Sequence, residues 1–416
     1  MLKNLDIKIA VTASVYLAFG VTVLECLCNE LHFIDPLYLT VARYVSILYV
    51  LYFTLNKNIG LWVDKPFFML YLVYSLYILV YLTIDKQIPL EKMLRCPESV
   101  TSFLLYSIYL LLFILCSKTI VKYISLRLIC ILFLIFTLIP SLYYINIVGF
   151  QTMQVVSVAS SEQEFIGALT FSYACSMVFV INLFFYKSYT PIKILNLLIL
   201  GIVICGVIYV WMAGTKRGPM LWAIVSSILC YMFKTGKATK FIVRIFIIGG
   251  ILYFLIPFVL DYFKDLAPYT IERINAALYE GDTSSRLDAG NSNSGYVLAF
   301  NQYLDSPILG SYFRILKSSP FYGVYPHNIF LEIMITMGGF GLVAFFYIFK
   351  RLYVSSIIGI GENKRNKQMF FFVIFNMSFF TLFTTDTILL NYSFWISLGY
   401  VLVYPRFANS IEKTQY

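Results

Sequence analysis

Residues 194–213 read ILNLLILGIVICGVIYVWMA, and a short turn, GTKRGP (214–219), runs straight into MLWAIVSSILCYMF (220–233). The first run carries no charge and one amide, Asn196. A helix of about 20 such residues crosses the hydrocarbon of a bilayer. Two of them joined by a tight cationic turn form a transmembrane hairpin.

The same pattern recurs outward in both directions. Apolar runs lie at 9–28, 37–55, 66–84, 99–117, 128–149, 165–186, 194–213, 218–233, 241–260, 329–349, 369–385 and 389–404, the eighth and twelfth being short. The spacing predicts an all-α polytopic membrane protein of about twelve transmembrane helices. The chain divides into 1–260, with nine helices; 261–328, a large external loop; and 329–416, with three helices and a tail. Of 416 residues, 60% are hydrophobic and only 12% charged, at a mean hydropathy of +0.81. A soluble domain is about one-quarter charged, so soluble, disordered and disulfide-stapled classes are excluded. The first run is too long for the apolar region of a signal peptide and reads as an uncleaved helix.

Seven of the eight cysteines lie in or beside apolar runs and only Cys96 in a polar loop, which offers neither a disulfide framework nor a CxxC metal site. With two histidines, His32 and His327, and no Asp-x-Asp motif, no metal or other cofactor is expected. Nor is nucleic acid expected as a partner.

Orientation follows from the basic residues of the short loops. Nineteen of the 31 Lys and Arg fall on one side, from Lys3 and Lys8 through Lys118, Lys122 and Arg127 to Lys350, Arg351 and Lys413. The alternate short loops hold five: Lys86, Lys92, Arg95, Lys216 and Arg217. Both termini are therefore expected in the cytoplasm.

The exceptions to this bias gather on the other face. The 261–328 connection far exceeds an ordinary loop and carries helical spacing, with Ile271, Ile274 and Leu278 on one face and Tyr296, Phe300, Tyr303 and Leu304 on another. Such segments fit helices lying on the membrane surface or capping a cavity. Between them GDTSSRLDAGNSNSG (281–295) is rich in turn formers. Ionisable residues toward this side are Glu25, Glu332 and Asp386 at span ends and Arg43 about two turns into the second span. Charges there mark functional sites by default, or for Glu25 and Arg43 a structural ion pair. Lys216 and Arg217 read either as headgroup contacts or as a site for an anionic lipid-linked substrate, since an arginine fork suits phosphate.

One further segment carries a resemblance. PHNIFLEIMITMGGFG (326–341) is similar to the signature of the bacterial O-antigen polymerase and ligase family, HNxxLExxxxxGxxG, matched by His327, Asn328, Leu331, Glu332, Gly338 and Gly341. The stretch 284–313 resembles that family's Arg…aromatic…Pro-x-x-Gly pattern through Arg286, Tyr296, Pro307 and Gly310. TKRG (215–218) resembles its Ser-Arg-Gly turn, with Lys216 where serine is usual, and Val297 stands where an Arg-x10-Gly motif from Arg286 would place glycine.

The resemblance implies a GT-C-like fold in a bacterial cytoplasmic membrane, with the active site facing the periplasm. It also implies glycosyl transfer from an undecaprenyl-pyrophosphate-linked oligosaccharide without metal or nucleotide sugar, often beside a chain-length regulator. On that reading Arg217 and Arg286 stabilise the departing pyrophosphate, supported by Lys216 and Arg314. His327 takes the acceptor's proton or donates to pyrophosphate; as a residue type alone it equally fits a satisfied interfacial histidine. Tyr296 and Tyr325 stack on sugar or pack as interfacial aromatics, and Asn328 and Glu332 bind or orient groups nearby. A polymerase is the expected activity, ahead of an O-antigen ligase acting on lipid A core. A flippase or other transporter is disfavoured because the two halves show no repeat.

Overall fold

Apolar segments that must pair every backbone N–H and C=O inside hydrocarbon have only helices and closed barrels available. A computed structural model of the chain is helical at every described element. It describes residues 2–21, 23–24, 36–61, 63–84, 100–149, 165–213, 217–235, 261–262, 264–265, 268, 295–316, 324–357, 362–383, 388–389 and 391–413.

In chain order the helices are α1 (Leu2–Phe19), α2 (Pro36–Asn56), α3 (Lys65–Ile84), α4 (Val100–Leu115), α5 (Ser117–Tyr123), α6 (Leu126–Phe133) and α7 (Ile139–Val148). They continue as α8 (Phe165–Phe185), α9 (Lys193–Ala213), α10 (Arg217–Thr235), α11 (Gly295–Asp305), α12 (Ile329–Ile357), α13 (Glu362–Thr381) and α14 (Tyr392–Lys413).

Among the described residues six segments are long and apolar enough to cross a membrane: Leu37–Asn56, Lys65–Thr83, Leu126–Ile147, Phe171–Ser188, Lys193–Ala213 and Ile329–Leu352. A seventh counts if the bent pair α4 and α5 is one span, and Gly218–Met232 and Tyr392–Val403 are shorter apolar helices. This is the helix set of a membrane protein. The expected run at 241–260 lies outside the described residues, and α1 begins earlier than expected, taking in Lys3, Asp6 and Lys8.

The chain forms two contact units. The first comprises 1–50, 120–282 and 362–377. Here α8 packs on α6, α9 and α10, and α1 packs on α6. The run expected at 128–149 as one helix is found over 126–148 and changes to a π turn at Leu134–Leu138 just before Pro140. Proline lacks the N–H for the regular ladder, and its ring crowds the carbonyl one turn back; a wider turn accommodates both. Thr137 in that turn bonds the Gly20 carbonyl (3.2 Å) and meets the Tyr16 hydroxyl (3.2 Å), so the distortion is anchored to the end of α1. Arg43 donates from Nε to the Leu17 carbonyl (3.0 Å), satisfying a group near the C-terminus of α1. Its expected partner Glu25 lies outside the described residues.

The second unit comprises 51–119, 283–361 and 378–416. Trp395 of α14 is fully buried, with Tyr71 and Tyr74 at 5.1 Å, Phe394 at 5.4 Å, Phe345 at 5.7 Å and Phe67 at 6.2 Å between ring centres. The indole N–H reaches the Ile388 carbonyl (3.0 Å), so this large ring is buried without an orphaned donor. Around it α12 packs on α3, α11 and α14. At one end of α3, Asp64 accepts from the Phe67 N–H (3.2 Å) and pairs with Arg351 of α12 (2.5 Å).

Candidate functional site

The second unit carries α11 and the segment that follows it, and a break in α12 holds them in place. Gly338 has φ 64° and ψ −155°, a conformation essentially confined to glycine. The sequence predicts one regular helix through this point; the structure instead interrupts the backbone ladder there. The loop after α11 fills the interruption. Gly339 N–H donates to the Pro307 carbonyl (2.7 Å) and Phe340 N–H to that of Ile308 (3.2 Å). In return the Ile335 carbonyl accepts from Ser311 N–H (2.7 Å) and Tyr312 N–H (3.0 Å), while Tyr81 donates its hydroxyl to the Thr336 carbonyl (2.9 Å). Groups freed by the break are thus paired by protein, as a low-dielectric setting requires. Gly310, at φ 77°, permits the approach.

Gln302 of α11 fastens the other side of the loop. Its amide nitrogen donates to the Arg314 carbonyl (2.9 Å) and the Ser311 hydroxyl (3.1 Å), and its oxygen accepts from Leu316 N–H (2.8 Å). Leu298, Ala299, Ile315 and Ile335 form a small core beneath, with Tyr303 and Leu331 against it. The buried face of α11 is therefore Leu298, Ala299 and Gln302. The spacing of Tyr296, Phe300, Tyr303 and Leu304 correctly indicated a helix, but of these Phe300 and Leu304 are exposed. With Ile308 and Leu309 they form an apolar surface suited to contact with lipid.

Arg314 is buried in this module at 3% exposure. Its guanidinium lies over the rings of Phe313 (4.8 Å) and Tyr325 (5.2 Å), and its NH2 group donates to the Tyr325 hydroxyl (3.3 Å). Stacking on aromatic faces retains a guanidinium in a site poor in water. The irregular passage continues through Ile315, whose N–H bonds the Val324 carbonyl (3.0 Å), which brings Tyr325, Pro326 and His327 alongside.

His327 is half-buried with its Nδ1 atom buried, and its φ is +49°. A left-handed backbone at a non-glycine residue costs about 1–2 kcal/mol and concentrates at functional positions. Asn328 follows as the cap of α12, its Oδ1 accepting from Phe330 N–H (3.0 Å) and Leu331 N–H (3.3 Å). One left-handed residue followed by an N-cap turns the chain sharply into the helix. Glu332 lies inside, fully buried, and its Oε2 accepts from the Ile388 N–H (3.1 Å). Its carboxylate thus ties the first turn of α12 to the segment before α14.

Among the candidate residues, Arg314 and Tyr325 are in contact, and His327, Asn328 and Glu332 share the start of α12. Tyr296 sits half-buried on α11. Arg217 begins α10 in the first unit; its side chain, Lys216 and Arg286 lie outside the described residues. The start of α10 is fastened, since the Ser176 hydroxyl bonds the Pro219 carbonyl (3.0 Å) and receives the Trp211 indole N–H (2.7 Å). Sequence reasoning missed Gln302 and Tyr81. An amide inside the apolar spacing of α11 was the available sign for the first; nothing distinguished Tyr81 among 34 tyrosines.

No protein-family profile matches the chain, and no curated protein matches it.

Proposed function

We propose that the chain is an O-antigen-type surface polysaccharide polymerase. It transfers a growing glycan from undecaprenyl pyrophosphate to a lipid-linked repeat unit at the outer face of the bacterial cytoplasmic membrane. The observation that carries this reading is the joining of two motif segments. The Pro-x-x-Gly stretch (307–310) and the HNxxLExxxxxGxxG stretch (327–341) resemble separate parts of one family signature, and they interlock through Gly310 and Gly338.

The reaction needs a stabiliser for the leaving pyrophosphate and an acceptor for the proton of the attacking hydroxyl. Fixed cations serve the first need, about 2.7–4 kcal/mol for one well-placed donor. Arg217 and Arg286 are the assigned groups, with Lys216 and Arg314 in support. His327 serves the second as general base. The acceptor oxygen attacks the anomeric carbon, the bond from that carbon to the pyrophosphate oxygen breaks, and the proton passes to the imidazole. Asn328 supports the turn that presents His327, Glu332 holds the helix behind it, and Tyr296 offers a face to sugar rings, whereas Tyr325, buried with Arg314 over its ring, holds that guanidinium instead. GT-C-like architecture, cytoplasmic termini and action beside a chain-length regulator belong to the same proposal.

Deletion of the gene followed by gel analysis of surface glycans tests it. A polymerase mutant leaves single repeat units on the lipid core. Long chains stranded on the carrier lipid would make the protein a ligase, and single units trapped in the cytoplasm a flippase.

A further inference from the structure

An apolar groove of about 200 Å³ runs along the second unit between α3 and α12, lined by Pro66, Met69 and Val73 on one side and Phe340, Ala344 and Tyr347 on the other. Met69, Phe340 and Tyr347 are each more than half exposed, so its walls stand open. The two helices run antiparallel. Asp64 pairs with Arg351 at one end, and Tyr81 reaches the Thr336 carbonyl at the other.

The end marked by Asp64 is cationic. Lys65 precedes the lining residue Pro66 and shares a helical face with Met69, four residues on. Arg351 continues the face of Phe340, Ala344 and Tyr347 at spacings of four, three and four, and its guanidinium sits 5.9 Å from the centre of the Tyr347 ring. Lys350 is exposed beside it. Asp64 offsets one of these three cations, which leaves a net two positive charges where the apolar groove ends. An apolar slot closed by excess positive charge complements an amphiphile with a hydrocarbon chain and an anionic head.

We propose that this groove seats one anionic phospholipid, in the leaflet where Lys65 and Lys350 emerge. An acyl chain lies between Met69 and Phe340, and the phosphate lies against the two lysines. The proposal is independent of glycosyl transfer. A free phosphate would gain nothing from the apolar walls, and a second helix laid in the groove would leave the cations without a counter-charge.

The test is native mass spectrometry of the full chain in detergent after delipidation, titrated with phosphatidylglycerol and, separately, phosphatidylcholine. Phosphatidylglycerol is expected to be retained at least tenfold better. Lys65→Gln and Lys350→Gln should each reduce that retention about fivefold, and Ala344→Phe, which fills the groove, should weaken retention of both lipids. Equal retention of the two lipids by the wild-type chain would overturn the proposal. So would undiminished phosphatidylglycerol binding in the Lys65→Gln, Lys350→Gln double variant with an unchanged melting temperature. A concentration-dependent dimer lost in Ala344→Phe without any lipid preference would also overturn it, by making the groove a contact between copies.

Discussion

Gly310 and Gly338 meet backbone to backbone, closer than any side chain permits. A β-carbon on Gly338 would lie 2.6 Å from the Gly310 nitrogen and 2.4 Å from the Ile308 carbonyl; one on Gly310 would lie 2.5 Å from the Thr336 carbonyl. Both glycines also have positive φ. The pair joins the segment after α11 to the broken helix α12.

Gly338→Ala and Gly310→Ala are each expected to cost more than about 3 kcal/mol, from a forbidden backbone region plus a clash that no rotamer relieves. Melting of the detergent-solubilised variants measures this. Gly201→Ala serves as the control, because a β-carbon there meets nothing within 4 Å, and it should melt with the wild type or slightly above it.

Arg314 depends on its shape as well as its charge. Arg314→Lys keeps the cation but loses the planar stacking on Phe313 and Tyr325, so it should lose long-chain product almost as fully as Arg314→Ala. Tyr325→Phe retains the ring and removes one hydrogen bond, for about 0.5–1.5 kcal/mol. Glycan ladders read beside protein levels check the order; a wild-type ladder from Arg314→Lys would contradict it.

The Asp64–Arg351 pair gives an asymmetric expectation. Asp64 has no exposed surface, whereas the Arg351 side chain is 22% exposed. Arg351→Met strands a buried carboxylate and should cost about 2–4 kcal/mol. Asp64→Asn keeps an acceptor for the Phe67 N–H and frees a cation that reaches water, so it should cost less. The double variant should be more stable than the sum of the two singles, as a thermal double-mutant cycle would register.

How far these features were legible beforehand depends on how local their physics is. The spans at 37–55, 66–84 and 194–213 follow from uninterrupted apolar length, and the helix of α11 from its spacing. The break at Gly338 was not legible, because the motif displays the glycine but not the loop that pairs the freed groups. The buried face of α11 was not legible for a related reason: Gln302 goes inward to bond three loop groups, while Phe300 and Leu304 remain outside. In a membrane protein, apolar surface is not a guide to the interior. Glu332 likewise displays its charge in sequence but not its tie to Ile388.

Lys367 offers a pH-dependent observable. It precedes the apolar run that begins at Met369, and burial, reinforced by the nearby charge of Lys8, lowers its pKa to about 8. Desolvation penalises the ammonium, so the proton leaves at lower pH than from an exposed lysine near 10.4. The neutral amine still donates twice, to the Val121 (2.8 Å) and Lys122 (2.9 Å) carbonyls. Competitive acetylation should therefore show a reactivity midpoint about two pH units below that of a free lysine side chain; a midpoint near 10 would contradict the burial argument.

The most direct measurement is chain length in a deletion strain complemented with His327→Ala, normalised to membrane protein level. Loss of a general base lowers turnover about 10²–10⁴-fold. The account therefore predicts single repeat units on the lipid core at wild-type protein abundance. A normal long-chain ladder from that variant would contradict it.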